Sequence, residues 1–191
     1  MKESHSVSKV LSDALVFAKR FVTKPRQIGS ITPSSRFLTS AMLERVQWPS
    51  VRSVAELGAG TGVFTREIVK RLPAGASLLV FELDPALRGR IEKELGIKCH
   101  SDASDLPELA GENSIDVVIS SLPWTVLPPR VTAKIIDGVL SCLKPEGQFL
   151  AYQYSRQMMP AFRRRFESVN VKFVMRNIPP AFVYDCRGKE K

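Results

Sequence analysis

Five short segments hold the residues able to do chemistry. The sharpest is Glu56-Leu57-Gly58-Ala59-Gly60-Thr61-Gly62, which follows a strand-like run, SVAEL at 53–57, and opens a helical pattern. Glycines there let the chain turn tightly and let a ligand lie against bare backbone. The helix N-terminus adds unpaired N–H groups and a partial positive charge. Several nucleotide-type cofactors use such a loop, with Gly58, Ala59, Gly60, Thr61 and Gly62 as the cradle here; the alternative is a glycine turn with no ligand. A dinucleotide fingerprint would want glycine where Val63 stands, and a phosphate loop would want Gly-Lys-Ser/Thr, which is absent. Glu82, with Leu83 beside it, ends SLLVFE 20 positions beyond Gly62. An acid there can accept both hydroxyls of a ribose; the alternative is a solvated strand-end acid. Asp102-Ala103 follows IKCH, with Asp105 close behind, and a loop acid in that place also caps turns. In Ser120-Ser121-Leu122-Pro123-Trp124 a proline stiffens a loop that carries an aromatic ring. The ring can hold an amine by stacking or cation–π attraction, worth about 0.5–2 kcal/mol, or it can simply pack. Tyr152 and Tyr154 share one strand face and either orient a substrate or sit as half-buried edge aromatics.

These segments need a scaffold that brings them to one place. From Val51 onward, strand-like runs at 53–57, 77–82, 97–100, 115–120 and 148–154 alternate with helical patterns near 62–72, 85–95, 129–143 and 156–166. That alternation implies βαβ units and a mostly parallel sheet. Runs at 170–176 and 181–186 flank IPP at 178–180 and suit an antiparallel hairpin at the sheet edge. Asp84-Pro85 reads as a helix start. Glu56, Glu82 and Asp102 then end three successive strands, the edge at which doubly wound sheets bind ligands. Ahead of the sheet, helices are expected over about 5–22 and 34–46, the second opened by Thr32 as cap and Pro33 at its first position.

The chain has 191 residues and suits one domain. With 44% hydrophobic and 25% charged residues it is globular rather than disordered or disulfide-built. It has no apolar run of about 18 residues, and its start lacks the compact apolar core of a signal peptide. Cys99, Cys142 and Cys186 are expected as reduced thiols packing like small hydrophobes, and no metal site is expected. His5 and His100 read as packing or surface residues. The net charge of +9 is uneven: residues 1–50 carry 8 Lys/Arg against 3 Asp/Glu, residues 155–191 carry 9 against 3, and residues 51–154 carry 11 against 13. Two basic flanks around a near-neutral middle suggest an anionic partner, nucleic acid or membrane surface, with plain solubility as the bland alternative.

The acid-x-Gly-x-Gly-x-Gly loop resembles the first motif of class I S-adenosylmethionine (SAM) methyltransferases. FVTKPRQIGSITPSSRFLTSAML, ELGAGTGVFT, the SLP segment and RNIPPAFVY together resemble the soluble bacterial phospholipid N-methyltransferases. These are phosphatidylethanolamine N-methyltransferases related to the rRNA adenine dimethylases. The likeness runs from about Phe21 to Tyr184, with ITPSS and IPPAFVY as its discriminating parts. That family often has Pro at the position of Ala59 and Gly at that of Ser121; the second difference bears on head-group choice.

The resemblance implies a doubly wound, Rossmann-like, seven-stranded α/β sheet at 49–191, preceded by a helical extension at 1–48. It implies SAM as cofactor, with Asp102 and Ala103 at the adenine and Ser120 at the end of the fourth strand in contact with the cofactor. Thr32, Ser34 and Ser35 would form a lid over its methionine end; from the residues alone, TPSS is equally a helix cap. The first helix, with Val7, Val10, Leu11, Ala14, Phe17, Ala18 and Phe21 in a stripe, becomes an interfacial membrane helix rather than one packed on the core. The reaction would be in-line attack by a neutral amine on the methyl carbon. Ser120, Trp124, Tyr152 and Tyr154 would stand around the acceptor, backbone carbonyls of the SSLPW loop would face its nitrogen, and Arg156 or Arg176 would pair with a lipid phosphate. Partners would be a phospholipid substrate and the anionic inner face of a membrane, on which a cytoplasmic protein sits peripherally. An RNA adenine N6-methyltransferase is the second expectation, opposed by the lack of room for a C-terminal helical domain. A small-amine methyltransferase and a non-catalytic SAM-binding module complete the alternatives.

Overall fold

The structure, a computed structural model, describes residues 33–188. Seven strands form one sheet: β1 Ser53–Leu57, β2 Ser77–Phe81, β3 Cys99–His100, β4 Ile115–Ser120, β5 Leu143–Gln153, β6 Ser168–Val174 and β7 Ala181–Arg187, in the order β3-β2-β1-β4-β5-β7-β6. Strands β1 to β5 pair in parallel, while β7 lies antiparallel between β5 and β6. The central strands SVAEL and IDVVIS are buried on both faces nearly throughout, as a parallel sheet covered by helices requires.

Among the described residues six α-helices cover the faces: α1 Pro33–Leu43, α2 Val63–Arg71, α3 Pro85–Leu95, α4 Leu106–Ala110, α5 Pro129–Cys142 and α6 Met159–Arg163. On one face, Leu38, Met42 and Leu43 of α1 and Phe64 and Ile68 of α2 meet Val54, Ile119 and Leu150 of the sheet. Ile91 of α3 extends that layer over Val80 and Cys99. On the other face, Ile135 and Val139 of α5 and Phe162 of α6 meet Leu57, Val118 and Phe149. Each such side chain contributes about 1.5–3 kcal/mol by burial. The three cysteines are all buried in these layers.

The alternation therefore gave the right class of sheet, including its antiparallel edge. Element bounds differ where local pattern competes with packing. The third strand contracts to two residues, and β5 begins at Leu143, since Leu143 already pairs with Ile115 before the register shifts. The helix expected over 156–166 contracts to Met159–Arg163, and α4 is too short to show a period. The expected helix over 5–22 and Thr32 lie outside the described residues, as do the side chains of Ser34 and Ser35. The rest of α1 shares the main core.

Because β1 neighbours both β2 and β4, the chain reverses its winding there. The C-terminal ends of β1, β2 and β4 open a crevice at this switch point, and every expected cofactor segment from Glu56 onward converges on it.

Candidate functional site

The glycine loop leaves β1 at Gly58 and enters α2 through Gly62. Gly58, Gly60 and Gly62 have φ of +81°, +58° and +78°, a region that other residues enter at a cost. A Cβ on Gly58 would meet Leu122 Cδ2 at 3.0 Å, so this glycine is what allows the loop after β4 to close over it. A Cβ on Gly60 would meet nothing within 4 Å and would project into open space. Four of the five loop amides are engaged within the protein: those of Gly58 and Ala59 donate to the Phe81 carbonyl, that of Gly62 to the Ala59 carbonyl, and that of Gly60 to Glu82 Oε2 at 2.6 Å. A phosphate nest needs such amides turned outward. Here the loop is a steric cradle, suited to a cofactor without phosphates.

Glu82 lies just past β2, and its other oxygen accepts the Asp84 N–H at 2.9 Å. Asp84 caps α3 through the Ala86 and Leu87 amides, as its place before Pro85 implied. Arg88 donates to the carbonyls of Glu82 and Leu83 and ties the turn down. Arg66 does the same for the glycine loop, bonding the Thr61 carbonyl and pairing with Glu94 through two nitrogens.

Glu56 is fully buried, and its carboxylate faces the Thr65 hydroxyl and amide without a well-formed hydrogen bond. Burial pushes its carboxyl up to about 7; Thr65 opposes the shift, and the charge of Glu82 adds to it. The buried Ser121 hydroxyl faces Tyr152, again without a well-formed hydrogen bond. Poorly satisfied polar atoms in a core are costly, and together they fit a ligand that brings its own donors, as a cofactor with an ammonium group does. Beside them opens a small cleft. Its walls are apolar, from Phe81, Ala103, Leu122, Leu127 and Ile135, and Glu82 and Leu83 stand at its edge. Apolar walls beside a carboxylate suit a flat heterocycle that carries hydroxyls. Asp102 stands at the start of the turn that includes Ala103, where its Oδ1 accepts the Ser104 N–H at 2.8 Å. The turn-capping alternative for Asp102 is thus realised.

Around the acceptor the structure corrects the expectation. Trp124 is only 1% exposed and packs edge-on against Phe149 and Phe162, within the core under α5 and α6. Its indole N–H donates to Ser120 Oγ at 3.1 Å. Trp124 is therefore no wall for an acceptor, because the apolar ring gains more from the core and its one polar atom finds a partner there. Ser120 is fully buried, and its hydroxyl also accepts the Leu122 amide, so it braces the loop and does not face a substrate. Nor does the Leu122 carbonyl point at an acceptor, since it accepts from the Trp124 amide and from Gln153 Nε2 at 2.9 Å.

Tyr152 and Tyr154 do come together, with ring centroids 5.9 Å apart, and Tyr152 stacks on Phe64 at 6.0 Å. Burial raises the Tyr152 phenol, Tyr154 adds to the rise and Ser121 opposes it. Tyr152 is half-buried and Tyr154 47% exposed, so the rings form a ramp from the Ser121 hydroxyl to the surface. Arg156 and Arg176 are exposed, and Arg176 lies over the Phe37 ring. Sequence reasoning missed Phe64, Thr65 and Gln153. For the first two a signal existed, since the helix after a glycine loop presents its first turn to the site. Gln153 gave none.

A family model described as "Methyltransferase domain" matches residues 54–147. An ornithine lipid N-methyltransferase of Singulisphaera acidiphila is 30% identical over 191 residues, covering 93% of this chain and 97% of that protein. A ribosomal RNA small subunit methyltransferase A of Thermotoga petrophila is 28% identical over 130 residues, 63% of this chain and 46% of that one. Among solved structures, the N-methyltransferase NodS of Bradyrhizobium japonicum, in complex with S-adenosylhomocysteine, matches 83% of the chain and 89% of its own at TM-score 0.66 and 16% identity. The 1,6-didemethyltoxoflavin-N1-methyltransferase of Burkholderia thailandensis matches 99% and 90% at 0.64 and 17%. These structural likenesses concern the fold.

Proposed function

The chain belongs to the class I SAM-dependent N-methyltransferases, and we propose that its acceptor is the primary amine of a membrane lipid head group. The observation that carries this reading is the likeness, along nearly the whole of both chains, to an ornithine lipid N-methyltransferase. The candidate head groups are an ornithine lipid and phosphatidylethanolamine, each ending in an amine. Membrane association would be peripheral, at an anionic inner face; among the described residues no helix is long and apolar enough to cross a bilayer.

When bound, the cofactor supplies a methyl group activated on a sulfonium. The chain's part is to bind, align and exclude water. Glu82 and the wall of Phe81, Leu122 and Leu127 hold the nucleoside end, and Glu56 receives the amino-acid end. The acceptor amine then reaches the crevice along Tyr154 and Tyr152. The Tyr152 and Ser121 hydroxyls would orient its nitrogen by accepting its N–H groups. Alignment of this kind contributes roughly 7–11 kcal/mol to lowering a bimolecular barrier. His100 takes no part; it packs against Phe81, and burial lowers its basicity.

The test is transfer of labelled methyl from SAM to vesicles holding ornithine lipid, to vesicles holding phosphatidylethanolamine, and to ribosomal RNA. Label in either lipid supports the reading and selects the head group. Label in RNA alone overturns it in favour of a nucleic-acid methyltransferase, the reading that the basic flanks and the Thermotoga relative would then support.

A further inference from the structure

We propose that the exposed apolar rim around the β6–β7 turn is a surface that docks on an anionic lipid bilayer and sets the mouth of the site against it. The inference rests on the lipid-acceptor reading and adds to it the part of the molecule that meets the membrane.

Of eight large exposed hydrophobic side chains among the described residues, four belong to this end of the sheet: Phe37, Tyr154, Met175 and Ile178. Met175 is 73% and Ile178 83% exposed, more than any of the four elsewhere. Isolated exposed apolar residues need no explanation, but a cluster does.

The turn holds them outward by construction. Between them sits Asn177, itself buried, whose side-chain amide donates to the Pro179 carbonyl at 2.6 Å while its backbone amide reaches the Val174 carbonyl. The polar residue thus faces in and the apolar ones face out, the reverse of an ordinary solvated turn.

Topology puts this turn beside the site. Gln153 at the end of β5 pairs with Phe182 near the start of β7, so residues 175–180 lie at the same sheet edge as Tyr154. Arg176, over the Phe37 ring with 5.3 Å to its centroid, brings the start of α1 to the same edge. The aromatic ramp of Tyr154, Tyr152 and Phe64 leads inward from there.

Charge selects the occupant. The segments forming the rim, 33–43, 153–158 and 173–182, contain Arg36, Arg156 and Arg176 and no Asp or Glu. All three arginines are exposed. Apolar side chains ringed by cations fit the boundary between acyl chains and anionic head groups, where each cation adds about 1 kcal/mol and the apolar tips enter the hydrocarbon margin. RNA would use the cations but not Met175 and Ile178.

The full-length protein is sedimented with vesicles of phosphatidylcholine and phosphatidylglycerol, as wild type, as M175S/I178S and as V69S, an exposed apolar residue away from the rim. Cofactor binding by calorimetry verifies that each is folded. The expected result is about tenfold weaker vesicle binding for M175S/I178S alone, with cofactor affinity unchanged in all three. In parallel, I178W is titrated with vesicles containing brominated lipid; quenching beyond that of the native tryptophans is expected. Wild-type vesicle binding that M175S/I178S leaves intact, with no added quenching in I178W, overturns the docking surface while leaving lipid methylation standing. Loss of binding to an RNA oligonucleotide in M175S/I178S, with vesicle binding intact, overturns it in favour of a nucleic-acid face. Wild-type protein that sediments through this rim yet methylates no lipid amine overturns the acceptor reading and not the surface.

Discussion

Glu56 shows how one residue can be costly to the fold and useful to the site. Its carboxyl is held up to about 7 by burial, against 4.5 in solution. Between those values the folded protein binds a proton that the unfolded chain has released, so stability falls as pH rises from about 4.5 to about 7 and stays lowered above. Glu56→Gln removes this loss. Thermal melts of the ligand-free protein should show the variant more stable at pH 8 by on the order of 3 kcal/mol, and equal to wild type near pH 4. The same variant should bind SAM at least about tenfold more weakly at pH 8, because a charge-assisted hydrogen bond is worth roughly 1.5–3 kcal/mol. Ser120 is the opposite case. Ser120→Ala strands the Trp124 indole N–H in the core, so urea unfolding should show a loss of about 1–3 kcal/mol, with cofactor affinity retained. Tyr152→Phe removes only a hydroxyl from the proposed acceptor pocket. Turnover should fall about tenfold with the melting temperature unchanged; unaltered turnover would remove the orienting role.

The glycine loop is the element on which the proposed cofactor binding depends. Gly60 has a left-handed φ, yet the space its Cβ would enter is empty of protein atoms. Asparagine tolerates that backbone region, so Gly60→Asn should leave stability within about 1 kcal/mol of wild type and still lose cofactor binding, as read by calorimetry. A variant that binds SAM normally would refute the cradle. Position, not residue type alone, decides such cases. Gly62 and Asp84 were legible as the starts of α2 and α3, because capping is a local matter. The direction of Trp124 was not, because an aromatic in a loop goes where Phe149 and Phe162 leave room for it. The partner of Gln153 lies 31 residues away in sequence, and no local pattern encodes that distance.

At the scale of the whole molecule, net charge and the rim act together. A bilayer held by both cations and apolar tips should release the protein only in part at high salt. The Debye length shrinks from about 10 Å at 0.1 M to about 3 Å at 1 M, which screens the arginines and leaves apolar contact untouched. Sedimentation with anionic vesicles should therefore fall steeply between those salt levels and then level off above zero. M175S/I178S should lose the residual fraction, and a wild-type curve that reaches zero would assign the binding to charge alone.

The sequence by itself determined the sheet, the cofactor loop and the acids at the strand ends. Those features rest on periodicity, capping and glycine backbone freedom, which act over a few residues. Tertiary structure alone decided that Glu56 is shut in the core, that Ser120 and Trp124 serve the core while Tyr152 stacks on Phe64 beside Tyr154, and that Arg176 reaches the Phe37 ring. Burial and side-chain direction depend on what distant segments bring, and a one-dimensional pattern does not contain them.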